Sequence, residues 1–406
     1  MSIPSPLTLE QTQKHTSNRV AIEHNPPVLI LGGSVNALSV ARSLGRRGIE
    51  VRASVSMGNH VLFSRYCKKR LAIPPGIHKK TYWKELLLGR PAEWIKGNVL
   101  FPCNDEAVEF IAEHYDRLRQ HYIVETIDPD IHQAMLSKSR TMELAQQMGL
   151  AVPRFWHLNT MKDVENILPH LSLPVIVKPV HSHLFLKYFK NKKYFFARTQ
   201  EELKTSIQRC VEKGIQVIIS EWIPGPDDLL ASYYTYITEN GQPLFHYTKR
   251  VIRRFPVNSG LACLHVTDWV PEVADLGWRF FHGIGYRGLG NIEFKRDVRD
   301  GKWKVIEVNP RFTASQELIT RSGLDIPYLI YNYLLGRPVQ TNGKYKQKLY
   351  MWYPVRDFRA FLELRRRGEM TLIQWLKSVF HQPVLPYFRM DDPLPSLTGL
   401  WFALKN

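Results

Sequence analysis

Apolar and polar positions alternate most clearly in two short runs near residue 300. In Gly290-Asn-Ile-Glu-Phe294 and Val305-Ile-Glu-Val-Asn-Pro-Arg311, apolar Ile292, Phe294, Ile306 and Val308 alternate with polar residues. That period of two predicts a pair of strands. The intervening Arg296-Asp-Val-Arg-Asp-Gly-Lys302 has the composition of a hairpin connection. Closing the pair around Asp300 sets Glu293 opposite Glu307. Residues i and i+2 share a face, so Asn309 lies beside Glu307. The alternative is an exposed hairpin face with ordinary acidic residues. Three convergent oxygen ligands would suit Mg2+, which takes one or two carboxylates and completes its shell with water and phosphate oxygens. Arg311 follows the strand end, where its fork could hold a phosphate or carboxylate.

The same patterning organises the rest of the chain. Val28-Leu-Ile-Leu-Gly-Gly-Ser34 is an apolar strand ending in glycines, followed by a helix over 37–45 and a strand from Gly48. This β-α-β unit predicts a doubly wound front domain. The glycine turn lacks the full dinucleotide spacing, so a structural strand-to-helix turn is the stronger reading. A strand at 98–102 and a helix after Asn104 complete this unit. Beyond it the pattern predicts a helix over 137–149, a strand ending in Lys178-Pro179, a helix over 199–211 and a strand ending near Pro224-Gly225. Strands over 229–236, 244–248 and 261–266 and a helix over 274–283 precede the glutamate hairpin. The expected divisions are an arm over 1–25, a Rossmann-like α/β domain over 26–125, an α+β domain over 126–335 with a small lid at about 155–225, and an extension over 336–406.

Composition narrows the partners. The chain has 406 residues, 44% hydrophobic, with a formal charge of +18. It can build large cores, and it should meet anions. The basic residues are spread out and carry no nucleic-acid motif, so no nucleic-acid partner is expected. Cys67, Cys103, Cys210 and Cys263 are dispersed without metal or redox spacing, which fits a reducing, cytoplasmic setting. The first residues are polar and lack a secretory core, so they read as a loose arm. Arg356-Asp-Phe-Arg-Ala-Phe-Leu-Glu-Leu-Arg-Arg-Arg367 predicts a basic amphipathic helix. Its favoured role is packing its apolar side on the body; the other is contact with an anionic membrane or partner.

Several positions ahead of the hairpin bear on anion chemistry. Lys178 ends an apolar strand, where burying a lysine unpaired is costly. Lys138 opens a helix and opposes its dipole unless an anion sits there. Glu221-Trp222-Ile223 ends a strand with acceptor and backbone groups suited to an adenine edge. Asp227 and Asp228 could accept from a ribose hydroxyl. Each alone is as ordinary as a surface lysine, acid or turn.

Taken in order, Lys138, Lys178, Glu221, an acid near 228, Lys249-Arg250, Glu293 and Glu307-Val-Asn-Pro-Arg311 resemble the ATP-grasp superfamily. Val-Lys-Pro, Glu-x-Ile-x-Gly and Glu-x-Asn-x-Arg stand in its order over about 28–335. Within it the chain looks most like carboxylate–amine ligases of the D-aspartate-ligase and carbamoyl-phosphate-synthase-like type. Thr248-Lys-Arg with Pro256 and Gly260, and Arg321-Ser-Gly-Leu-Asp-Ile-Pro-Tyr328, support that placement. The resemblance implies an ATP-grasp fold behind a pre-ATP-grasp α/β domain. It implies Lys138, Lys178 and Lys249 on ATP phosphates, Glu221, Trp222 and Ile223 at adenine, and Asp228 at ribose. Glu293, Glu307 and Asn309 would hold Mg2+, or Mn2+ in its place. Arg311, Arg250 and Lys178 would serve the reacting phosphoryl group. The implied chemistry is carboxylate activation as an acyl phosphate, then attack by an amine, with carboxyphosphate chemistry or non-catalytic nucleotide binding as alternatives. A homodimer is a further expectation from similar ligases. One departure stands out: the loop after Lys178-Pro179, usually rich in glycine and serine, is His181-Ser-His-Leu-Phe-Leu-Lys-Tyr-Phe-Lys-Asn-Lys-Lys193. Its His181 and His183 are too few for a dedicated zinc site.

Overall fold

The computed structural model describes residues 3–6, 22–158, 161–180, 185, 188–189, 194–339 and 343–398. The N-terminal unit is a parallel sheet of β1 (Val28–Leu31), β2 (Val51–Ser56), β3 (Cys67–Ile73) and β4 (Val99–Pro102) in the order β3-β2-β1-β4. β1 is buried along its whole length, which is why it is an unbroken apolar run. Its glycine turn is built for close packing. Gly32 and Gly33 have φ of +68° and +90°, and a Cβ on them would lie 2.3 Å from Asn104 Oδ1 and 2.5 Å from Cys103 Cβ. Only glycine meets both demands, so the turn packs tightly where the ends of β1 and β4 meet.

The lid is an antiparallel sheet of β5 (Phe155–Leu158), β6 (Val175–Pro179), β7 (Phe195–Ala197) and β8 (Val217–Glu221) in the order β5-β8-β6-β7. Helix Gln200–Val211 starts where the Thr199 side chain accepts from the Glu202 amide at 3.2 Å, and it packs Leu203 and Ile207 behind the lid.

The central sheet has six strands in the order β13-β12-β9-β10-β11-β14. They are β9 (Leu230–Ile237), β10 (Pro243–Phe255), β11 (Leu261–Thr267), β12 (Gly288–Arg296), β13 (Trp303–Asn309) and β14 (Tyr350–Trp352). Helix Pro271–Gly283 covers one face. It approaches closely because Gly277 lies against Tyr233, whose Cδ1 would sit 2.3 Å from an added Cβ.

Both ends of the chain are more integrated than the sequence suggests. The extension after 335 supplies β14, which pairs with β11 through Leu264–Trp352 and His265–Met351. Helix Pro354–Arg366 buries Ala360, Phe361 and Leu364, so its apolar side packs on the body. Asp357, fully buried, accepts from Arg253 Nε at 2.8 Å, Arg253 Nη2 at 3.0 Å, Trp352 Nε1 at 3.0 Å and Trp375 Nε1 at 2.8 Å. At the other end, residues 3–6 of the expected loose arm are docked. His246 Nε2 lies 2.8 Å from the Pro4 carbonyl, and Ile3 joins the core beside helix Pro271–Gly283. Among the described residues, no helix is long and apolar enough to cross a membrane.

Candidate active site

The hairpin closes in the register that the alternation predicts. Glu293 pairs with Glu307 and Asn291 with Asn309. Across β9 and β10, Glu293 pairs with Ser232, and Ser232 with Lys249. One face of the sheet therefore carries a row Glu307, Glu293, Ser232, Lys249, with Asn309, Asn291 and Tyr234 in the next row. The pairing shifts between Glu293 and Phe294, a bulge directly beside the two carboxylates. Lys249 is buried, and its Nζ donates to Ser232 Oγ at 3.2 Å.

A chain of amides orients the asparagine. Asn291 Nδ2 donates to the Tyr233 carbonyl at 3.1 Å, and Asn309 Nδ2 donates to Asn291 Oδ1 at 3.1 Å. That turns Asn309 Oδ1 toward Arg311 Nη2, at 2.9 Å. Arg311 Nε donates to Asp105 Oδ1 at 2.6 Å. Burial opposes the Arg311 charge, but Asp105 and Glu307 outweigh it and raise the pKa. Asn36 Nδ2 adds a second brace by donating to the carbonyls of Phe312 at 2.8 Å and Cys103 at 2.7 Å. The N-terminal unit thus holds the loop that aims Arg311. Asp105, Asn36 and Asn291 are the residues that sequence reasoning missed here. Asn291 alone had a signal, as the alternate neighbour of Glu293.

The predicted lysines face this row. Lys178, near the end of β6, is buried. Desolvation first, and the charge of Lys138 second, push its pKa down to about 8, while Glu307 pulls it upward. Lys138 opens helix Lys138–Gln147, which packs against β13. Glu307 therefore acts electrostatically on both Lys178 and Arg311, and Lys138 acts on Lys178.

The donor set fits a hard cation. Glu293 and Glu307 are directly opposite across the hairpin. Their donors and that of Asn309 are oxygens only, as magnesium prefers. Among the described residues, no group of three His, Cys, Asp or Glu side chains could hold a metal.

Other predicted positions are corrected. Arg250 pairs with Ala231 and Val266, so it lies on the sheet face opposite Lys249 and donates from Nε to Asp268 at 2.8 Å. Adjacent strand residues point to opposite faces, and Lys249 takes the site side. The Glu221 carboxylate is committed: Arg299 Nη1 donates to it at 2.7 Å and Arg154 Nη2 at 3.4 Å. Burial would raise its pKa, but these two arginines bring it below the ordinary value. The Trp222 amide donates to the Pro174 carbonyl at 3.3 Å. Ile223 is buried at this strand end, and the Trp222 ring packs edge-on against Phe196 at 5.0 Å. Asp228 is exposed, whereas Asp227 is buried and accepts from Arg254 Nε at 2.7 Å.

Two further groups on the site face went unrecognised in the sequence. Lys295 lies two residues from Glu293; its Nζ donates to the Gly225 carbonyl at 2.8 Å and sits 5.0 Å from the Trp222 ring centre. Burial, then Arg254, push its pKa down to about 8. His265, paired with Val251 on the face of Lys249, is buried, and its Nδ1 has no hydrogen-bond partner among the described residues. Burial first, then the charges of Lys249 and Arg356, push its pKa well below the ordinary imidazole value. Of the basic 181–193 loop, only Phe185, Tyr188 and Phe189 are described. Phe185 and Phe189 pack on Phe195 at 5.0 and 4.9 Å, and His181 and His183 lie outside the described residues.

No family model matches the chain. It is 25% identical over 379 residues to a D-aspartate ligase from Enterococcus faecium (strain Aus0004), covering 87% of each chain. It is 24% identical over 207 residues to a D-alanine–D-alanine ligase from Acinetobacter baumannii, covering 48% of this chain and 63% of the relative. Among solved structures, biotin carboxylase from Campylobacter jejuni superposes with a TM-score of 0.64 at 15% identity, over 80% of this chain and 74% of that one. N5-carboxyaminoimidazole synthetase from Staphylococcus aureus gives 0.62 at 13% identity, over 86% and 87%. L-amino acid ligase from Bacillus licheniformis gives 0.61 at 17% identity, over 81% and 79%. The likeness runs through most of the chain, and its fold is that of the ATP-grasp superfamily, with a resemblance to the carboxylate–amine ligases.

Proposed function

We propose that this chain is an ADP-forming, ATP- and magnesium-dependent ligase that activates a carboxylate as an acyl phosphate and joins it to an amine. The observation that carries this is the enforced pairing of Glu293 with Glu307 on a sheet face that also bears Lys249 and is approached by Lys138 and Lys178. That arrangement is a cradle for phosphates and a divalent cation, and phosphoryl transfer needs little else from a protein.

Lys138, Lys178 and Lys249 neutralise and position the ATP phosphates. Glu293, Glu307 and Asn309 would hold Mg2+, which neutralises phosphate oxygens; Mn2+ would serve in its place. A substrate carboxylate oxygen attacks the γ-phosphorus, the bond to the β–γ bridging oxygen breaks, and ADP leaves. Arg311, preset by Asn309 and Asp105, steadies the acyl phosphate. The amine nitrogen then attacks the acyl carbon, loses a proton and expels phosphate, leaving an amide. The Enterococcus faecium relative is named for D-aspartate. By likeness to that relative, the acid here is an amino acid or similar small carboxylate. The four cysteines are free and buried, which suits the cytoplasm. A homodimer, and contact of the basic extension with an anionic surface, complete the proposal.

The test is magnesium-dependent ADP release from ATP, screened against pools of amino acids and small carboxylates with amine acceptors. Stimulation by a pool, absent in Glu307→Gln protein, is the expected result. ATP binding without release under every pool, or release that survives Glu307→Gln, overturns the proposal. Release driven by bicarbonate alone would replace the organic acid with carboxyphosphate chemistry.

A further inference from the structure

Exposed apolar side chains are concentrated in one part of this molecule. Of nineteen large apolar side chains that are exposed among the described residues, ten fall between Val355 and Leu397. Helix Leu372–Val379 is the centre of this group. It is well made: Thr371 and Gln374 form a reciprocal capping box at its start. It is also anchored. Trp375 stacks on Phe361 with ring centres 5.0 Å apart, and its Nε1 donates to buried Asp357. Yet none of its eight residues is buried.

The helix is anchored by one side and apolar on another. At about 100° per residue, Leu372, Ile373, Leu376 and Phe380 fall on a single stripe, turned away from Trp375. They are 47%, 65%, 46% and 89% exposed. An apolar stripe left in water is unfavourable, and a contiguous one marks a surface that something covers.

The surroundings say what kind of surface covers it. Arg359, Arg365, Arg366 and Lys377 are exposed nearby, Arg367 is exposed and ion-paired with Glu363, and Glu369 is the only exposed acid between 354 and 380. The chain then runs from Phe380 along a polar cleft of about 570 Å3 whose lining includes Arg42, Arg46, Arg47, Arg321, Lys346 and Arg389. Four of these are paired with Asp392, Asp391, Asp325 and Glu317, while Arg321 and Lys346 are exposed. Phe388 and Met390, 44% and 84% exposed, flank Arg389. An apolar stripe bordered by cations of one sign is the pattern of a helix lying in a membrane interface. The net charge of +18 acts in the same direction.

We propose that helix Leu372–Val379 with Phe380 docks this protein on an anionic lipid bilayer. Leu372, Ile373, Leu376 and Phe380 enter the boundary between headgroups and acyl chains. Arg359, Arg365, Arg366 and Lys377 pair with lipid phosphates. The preceding basic helix contributes mainly charge, because Ala360, Phe361 and Leu364 are spent on the protein core while Val355 and Phe358 stay exposed. The proposal locates the surface contact of the extension, and it does not depend on the ligase reading.

The experiment is sedimentation of the full chain with vesicles of phosphatidylcholine alone and of phosphatidylcholine mixed with phosphatidylglycerol. Binding is expected only to the anionic vesicles, and it should weaken as salt screens the charges. Ile373→Asp with Phe380→Asp should lower binding about tenfold or more, and Arg365→Glu with Arg366→Glu by a similar factor. These side chains are exposed, so melting temperatures should match the parent and separate lost binding from misfolding. Equal binding by the variants, or none by the parent to anionic vesicles, overturns the proposal. So does a parent dimer that Ile373→Asp dissociates in light scattering without any vesicle binding, since the stripe would then be covered by a second copy.

Discussion

Replacing Lys178 by methionine is expected to stabilise the nucleotide-free protein while abolishing ATP binding. Lys178 is buried at the end of β6, and burial with the charge of Lys138 lowers its pKa from 10.5 to about 8 against the pull of Glu307. Each tenfold in proton affinity is about 1.4 kcal/mol, so the charged side chain opposes folding by ~3 kcal/mol. The sign follows from proton counts. Between about pH 8 and 10.5 the unfolded chain binds more protons than the folded one, so stability rises with pH there; below about pH 8 the whole penalty is present. Methionine has similar length and no charge. Near pH 7 the variant should gain up to ~3 kcal/mol, a gain that fades toward pH 10.5. On the proposed reading ATP would add counter-charge beside Lys178, so wild-type binding above about pH 8 should take up a proton there. Urea unfolding near pH 7 and at high pH tests the first part. Calorimetry of ATP binding in buffers of different ionisation heat tests the second. A variant less stable than the parent near pH 7, or one that binds ATP as well as the parent, would refute the reasoning.

The remaining predictions concern strand faces, buried charges and the aim of Arg311. Lys249→Ala should lower kcat for ADP release by about a hundredfold or more, as for a lost transition-state contact, whereas Arg250→Ala should leave it almost unchanged and cost at most ~1 kcal/mol through the partly exposed pair with Asp268; parallel steady-state kinetics decide. Asp357→Ala strands a buried guanidinium and should destabilise the protein by ~3–5 kcal/mol in denaturant unfolding. Burial pushes Glu125 up to about 7. As a raised carboxylate it favours folding in acid and loses that contribution as pH rises through about 7, so Glu125→Gln should gain stability above neutral pH and none near pH 4.5, measured by thermal melts across pH. Asp105→Asn should lower kcat for ADP release and leave ATP affinity intact, because Asp105 orients Arg311 through the 2.6 Å bond and sits in another unit; a matched fall in affinity would show a broader role.

What the sequence disclosed follows the range of the interactions involved. The Glu293–Glu307 pair was legible because alternation and a hairpin count determine register locally. Lys178 was legible because four apolar and proline neighbours surround it in one strand. The face of Arg250 was not, because the expected strand stopped at residue 248 whereas β10 continues to Phe255 and carries the alternation across Lys249 and Arg250. Glu221 looked available because its partners Arg154 and Arg299 lie far away in the chain, 67 and 78 residues off. β14 left no pattern because it is three residues long, and only its pairing with β11 identifies it.

The same contrast explains how the site is held ready. Lys178, Lys249 and Arg311 come from the lid, the central sheet and the loop beyond it, and each is desolvated or braced before any ligand arrives. Lys249 leans on Ser232, Arg311 on Asn309 and Asp105, and Asn309 on Asn291. Fixed dipoles and charges of this kind need not reorganise when negative charge develops on a transferring phosphoryl group. The cost appears in the free protein, as a lysine pushed toward neutrality and two carboxylates set opposite each other. On the proposed reading, a polyanion with a divalent cation would relieve both at once: its phosphates would answer the lysines, and its metal the glutamates. Either one bound alone relieves half of the imbalance and aggravates the other half, so nucleotide and metal should bind with positive coupling on this sheet face.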